Sequence, residues 1–129
     1  PPRSTLFPYT TLFRSPYGAG CGPQLAGGSV AVGNNHVISL MLTGGYANGF
    51  ALSFVGTQAL NLPIGGGCSL LSNAVVVSVL KTDAKGECLE TWKVPLTKLA
   101  TAYHQMLPIG IKGNDLVFSA SNGMKLECK

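Results

Sequence analysis

Chemistry in this chain would have to come from a short inventory. The 129 residues hold four cysteines, two histidines, five carboxylates and one tryptophan. The cysteines, Cys21, Cys68, Cys88 and Cys128, lie far apart and form no C-x-x-C pair, which points away from zinc or dithiol redox chemistry. An even count at long spacing predicts disulfides made in an oxidising compartment. Three connectivities are possible. The preferred one joins Cys21 to Cys68 and Cys88 to Cys128, each closing a loop of about 40 residues and contributing roughly 3 to 4 kcal/mol by restricting the unfolded chain.

The remaining candidates assemble no catalytic pattern. A nucleophilic triad needs a serine or cysteine beside a histidine that a carboxylate orients, and there is no G-x-S-x-G elbow. His36 and His104 lie at or inside strand-like runs with no second metal ligand close in sequence. Of the carboxylates, Asp83 and Glu87 belong to a turn, where Asp commonly accepts backbone N–H bonds. Glu90 and Glu127 would serve a glycosidase only across a cleft, and the nearby Lys93 and Lys125 favour cross-strand ion pairs. No D-x-D-x-D-G calcium loop and no N-x-S/T sequon is present. The expectation is therefore a protein without catalytic residues, cofactor or metal. Trp92 reads first as a core residue and second as a sugar-stacking platform, with Tyr46, Tyr103 or Tyr9 beside it.

Bulk properties narrow the class. The net charge of +4 comes from nine scattered Lys and Arg, of which Lys81, Lys85, Lys93 and Lys98 fall in the second half. Nucleic-acid binders cluster such charges between aromatics, so no nucleic-acid partner is expected. No 18-residue apolar run exists, so no membrane-inserted helix is expected. Charged residues make up only 11%, and 17 Gly and 8 Pro are spread along the chain, as many turns between short strands require.

Those strands can be read from their periodicity. After a glycine-rich entry loop, Tyr17 to Pro23, strands are expected over Ser29 to Val32 and His36 to Thr43, joined by hairpin chemistry at Gly33-Asn34-Asn35. In the second strand Ile38, Leu40 and Leu42 share one face. Next, Phe50, Leu52 and Phe54 are expected to face inward, opposite Ala51, Ser53 and Val55. The triple glycine at 65–67 leads to Cys68 and a short strand. Ala74 to Leu80, apolar on both faces apart from Ser78, reads as a central strand. A charged turn over Lys81 to Gly86 sends Cys88 to Val94 back antiparallel until Pro95 ends it. A helical turn is expected over Thr97 to Ala102, then strands over Tyr103 to Ile109, Asp115 to Ala120 and Met124 to Cys128, with Asn122-Gly123 as a tight hairpin turn. Eight to ten short strands at near-regular spacing predict an all-β fold, an antiparallel two-sheet sandwich of jelly-roll or Greek-key type.

Pro1 to Ser15 (PPRSTLFPYTTLFRS) differs from everything after it and closely resembles the translation of a sequencing-adapter fragment, so its side chains enter no chemical argument. Residues 1–16 are read as an extended N-terminal arm and 17–129 as a single sandwich domain. YGAGC at Tyr17 to Cys21, a Leu-Pro, GGGCSL at Gly65 to Leu70, the TDAKGE turn and SNG at Ser121 to Gly123 occur in an order that resembles a family of secreted bacterial β-sandwich domains common in planctomycete-like and environmental genomes. The resemblance spans nearly all of residues 17–126. It implies a signal peptide just upstream of Tyr17 and a Cys21–Cys68 disulfide; Cys88 and Cys128 lie outside its pattern, and it implies no biochemical activity. The leading expectation is a secreted structural subunit: a homo-oligomer, a helical or linear polymer, built by adding the N-terminal arm to a neighbour's sheet. An arm of 15 residues can span roughly 50 Å. The alternative is an extracellular carbohydrate-binding or adhesion module with surface glycans as partners.

Overall fold

Period-two alternation through most of the chain gives strands throughout. The computed structural model describes residues 12–95 and 101–128, and among these every regular element is a β-strand. They are β1 (Leu12–Tyr17), β2 (Gln24–Val32), β3 (Asn35–Thr43), β4 (Phe50–Gly56), β5 (Ala59–Gly65), β6 (Cys68–Ser72), β7 (Val76–Lys81), β8 (Cys88–Pro95), β9 (Thr101–Lys112), β10 (Asp115–Phe118) and β11 (Gly123–Cys128). The helical turn expected over 97–102 lies outside the described residues up to residue 100, and Thr101 and Ala102 already belong to β9.

The strands form a large sheet in the order β1-β11-β9-β4-β7, a small sheet β2-β3-β8 and a β5-β6 hairpin, with antiparallel pairing throughout. β10 pairs with β9 at residues 109–112, on the same side of β9 that β11 occupies at residues 101–104. Neighbours in the large sheet are thus mostly distant in sequence, the long connections that Greek-key sandwiches use.

The large sheet is covered on both faces. Toward the small sheet, Ala51, Met106, Met124 and Leu126 meet Leu25, Ile38, Leu40 and Leu42, so the face that Ile38, Leu40 and Leu42 share on β3 is the one in the main core. On the opposite face Leu52, Phe54, Leu107 and Ala120 pack with Cys68 and Ile64 under the β5-β6 hairpin. Phe50, Leu52 and Phe54 therefore do not define the inner face of β4. They point to the hairpin side, while Ala51 and Ser53 on the other side are the fully buried pair.

Three further expectations are corrected. Among the described residues β7 is the terminal strand of the large sheet, pairing with β4 alone, and not a central strand. β8 does not return along β7; it pairs with β3 in the small sheet, because the 82–87 turn carries the chain from one layer to the other. That crossing is fixed by Asp83, whose side chain accepts the N–H groups of Lys85 and Glu87 at 2.8 and 2.9 Å, and by the tight approach of Gly86 to the backbone of Gly45. Gly86 has a φ of 77°, so a side chain there would meet both strain and a backbone wall. Finally, Asn122-Gly123 makes no hairpin, since β10 and β11 lie end to end along β9.

Candidate functional site

Two buried polar groupings and one exposed edge hold the side chains that could do more than pack. The first grouping lies between the sheets. β8 alternates Cys88, Glu90 and Trp92 inward, opposite Ser53 of β4 and His104 and Met106 of β9. Ser53 donates its hydroxyl to Glu90 Oε1, and both residues are buried. Glu90 thus ends in a core hydrogen bond and not in an ion pair with Lys93. On β11, Lys125 and Glu127 pair at 3.4 Å along their own strand. A serine whose hydroxyl donates a hydrogen bond directly to a buried carboxylate is held as a structural polar pair; a nucleophile would need its oxygen against an imidazole and open to substrate.

His104 packs edge-on against Trp92 with ring centroids 6.2 Å apart, and His104 Nδ1 and Trp92 Nε1 are buried without a hydrogen-bond partner. Burial holds the imidazole down at about 4, well below its ordinary value. The consequence for stability has a definite sign. Between pH 6.5 and 4 the unfolded chain binds a proton at His104 that the folded chain refuses, so stability falls as pH falls through this window, by up to about 3 kcal/mol. His104→Leu is expected to flatten that slope and to leave stability at pH 7 nearly unchanged, because it also removes an unpaired buried nitrogen. Urea unfolding of both proteins at pH 7 and pH 4.5 checks this; equal slopes would refute it.

Cys88 is a free thiol, so the Cys88–Cys128 disulfide expected from cysteine counting does not form. Register explains why. Cys88 Sγ lies 3.9 Å from Met106 Sδ, whereas the backbone of Cys128 lies one step beyond the Glu127–Thr101 pair. Five to six residues of strand separate those positions along β9, about 17 to 20 Å, against the roughly 7 Å limit between bridged Cα atoms. Burial, then Glu90 and Asp83, raise the Cys88 pKa and keep it as the neutral thiol.

The second grouping ties the hairpin face together. Cys21 and Cys68 are joined by a disulfide across 47 residues, as the preferred connectivity has it. Gln105, fully buried on β9, accepts from the Leu71 N–H at 2.9 Å and donates to the carbonyls of Ser69 and Ser121 at 2.8 and 3.0 Å. Ser121 exchanges bonds with Met106: its N–H donates to the Met106 carbonyl, and its hydroxyl accepts from the Met106 N–H. Asn122 pairs with the backbone of Leu25 through both ends of its amide, at 2.9 and 3.0 Å, as a strand would. Tyr17 donates to the Leu71 carbonyl, and burial with Tyr103 alongside pushes its pKa up to about 12, so it stays a donor at every ordinary pH. Its ring lies where a Gly123 side chain would be. The YGAGC and SNG segments, about 100 residues apart in sequence, are thus one contact.

No family model, curated protein or solved structure matches the chain. The site must be read from its own geometry. Among the described residues no group of three His, Cys, Asp or Glu could hold a metal ion, and no helix is long and apolar enough to cross a membrane.

The rings of the carbohydrate reading are not brought together. Trp92 packs on the main core between the sheets, Tyr103 stacks edge-on with Tyr17 at 5.5 Å on the hairpin side, and Tyr46 lies over Gly110; Tyr9 is outside the described residues. An open groove of about 620 Å³ runs between the 16–20 segment and β2, lined by Gly18, Gly20, Leu25, Gly27, Asn122 and Met124 among others, without an acid, a base or an aromatic ring. The feature that sequence reasoning missed is the edge: Val75, Val76, Val77 and Val79 are all exposed where the large sheet ends.

Proposed function

We propose that the chain is a structural subunit of an extracellular filament or surface assembly whose copies join head to tail, the N-terminal strand of one adding to the sheet of the next. The observation that carries this reading is the position of β1. It enters the large sheet as a terminal strand whose ladder partner, among the described residues, is β11, so Leu12 stands at the sheet's margin and not in its interior. Strand addition needs little besides such a margin: main-chain hydrogen bonds supply affinity, and alternate side chains supply register. Because donor and acceptor are different surfaces, the contact repeats without closing and makes a fibre. The Cys21–Cys68 disulfide is compatible with an extracellular protein and supports the secreted part of the reading. No observation favours the carbohydrate-binding alternative, whose three described rings lie apart.

The test compares the full chain with a variant lacking residues 1–11, by light scattering and negative-stain electron microscopy. The full chain is expected to form assemblies longer than a dimer, and the truncated chain is expected to lose them. A full chain that never exceeds a dimer at any concentration, or a truncated chain that polymerises equally well, overturns the reading.

A further inference from the structure

We propose that the outer edge of β7 is a self-association site, pairing antiparallel with β7 of a second copy of this chain. Sheet edges are normally blunted by proline, by charge or by shortness. β1 contains Pro16, β8 contains Lys93, β10 is four residues long with Asp115 at its start, and β2 is met at Leu25 by the Asn122 amide. β7 carries one such device, Lys81, and only at its last residue. From Val75 to Leu80 it is uncharged, and Val75, Val76, Val77 and Val79 are 64, 47, 51 and 65% exposed. Its inner side is bonded to β4, and alternate residues of such a strand turn their N–H and C=O groups outward with no described partner.

A second copy is the occupant because the strand is complementary to itself in one register. Ala74, at a φ of 48°, ends the extended run on one side and the Thr82–Asp83 turn ends it on the other, leaving residues 75–81. A two-fold axis perpendicular to the sheet pairs residues of like face. Centred on Ser78, it sets Ser78 opposite Ser78, Val77 opposite Val79, Val76 opposite Leu80 and Val75 opposite Lys81. All seven residues are then used, and the one charge of each strand, Lys81, faces a valine at opposite ends of the pair. Shifting the centre to residue 77 runs Ala74 into the ladder, and shifting it to 79 leaves Val75 and Val76 without a partner in the extended run. The surface is isologous and closes at two copies, so it goes beyond the arm-mediated contact and does not depend on it.

The test places a cysteine at the axis. In a full-length Cys88→Ala, Cys128→Ala background, Ser78→Cys is expected to convert most of the chain to a covalent dimer under mild oxidation, since directly opposed residues have Cα atoms about 4.5 to 5.5 Å apart. Val75→Cys is expected to give essentially none, its copies being roughly 20 Å apart in this register. Adding V77K/V79K to the Ser78→Cys chain should abolish the cross-link, and mixing it with a V77E/V79E partner carrying the same cysteine should restore it as a heterodimer. Far-ultraviolet circular dichroism and an intact Cys21–Cys68 peptide confirm folding of each variant. Equal cross-linking at positions 75 and 78, or charge variants without effect, overturns the proposal. If removing residues 1–11 leaves assembly unchanged while the Ser78 cross-link persists, the filament reading fails and this one stands.

Discussion

Replacing Cys21 and Cys68 together with alanine is expected to lower the unfolding free energy by about 4 kcal/mol. The chain-entropy relation gives that figure for a loop of this length. The loss should also be local in character. Cys21 sits in the entry loop, where its N–H donates to the Ala120 carbonyl at 2.9 Å. Cys68 opens β6, the strand that roofs the hairpin face of the large sheet. Cutting the bond releases both the loop and the roof, and Leu52, Phe54, Leu107 and Ala120 lose their cover together. Urea unfolding should therefore show a lower midpoint, and hydrogen exchange should show β5 and β6 opening before β3 and β9. Cys88→Ala should do little by comparison, because its thiol is only partly buried, packed on the margin of the main core beside Met106. A drop below about 1 kcal/mol for the double variant, or a larger drop for Cys88→Ala, would refute this. Peptide mapping of the native chain should find Cys21 linked to Cys68 and Cys88 unlinked.

Several of these residues could be placed from their types alone and others could not, for reasons that differ in kind. Ile38, Leu40 and Leu42 were legible because a strand with one buried face must alternate. The Gly33-Asn34 turn was legible because positive φ is needed there, and Gly33 has a φ of 59°. β7 was misread because apolar residues on both faces describe a strand buried in the middle of a sheet and a strand left bare at its edge equally well. The 82–87 turn has the composition of a hairpin, yet Asp83 and Gly86 use it to change sheets, and composition does not encode which layer receives the next strand. Cysteine counting paired Cys88 with Cys128 because it ignores register, and register puts Cys88 beside the middle of β9 and Cys128 beyond its first residue. Gln105 gave no signal at all. One amide among polar and apolar neighbours on a strand looks like a solvent-facing residue, and only the hairpin folded over it makes it a core group.

That hidden residue carries the second large effect. Gln105→Leu, nearly isosteric, is expected to cost about 3 to 5 kcal/mol, because it strands the Leu71 N–H and the Ser69 and Ser121 carbonyls in a buried setting, each at roughly 1 to 3 kcal/mol. Hydrophobicity gained at the site does not offset this, since the three groups it leaves are main chain and cannot be moved to water without lifting β6. Gln105→Glu separates the two roles of the amide: it can still accept from Leu71 but can no longer donate to the carbonyls, and it is expected to lose at least as much. The strongest check is a double-mutant cycle with the disulfide. Gln105 and Cys68 both hold β6 to the large sheet, one by hydrogen bonds to Ser69 and Leu71 and the other by a covalent bond at the strand's first residue. Once either is gone, the hairpin's detachment is already partly accomplished, so the second loss should be smaller than when made alone, with a coupling of about 1 kcal/mol or more. Strict additivity would mean that the two act on separate units, and that the hairpin is held mainly by its apolar contacts with Leu52, Phe54 and Leu107.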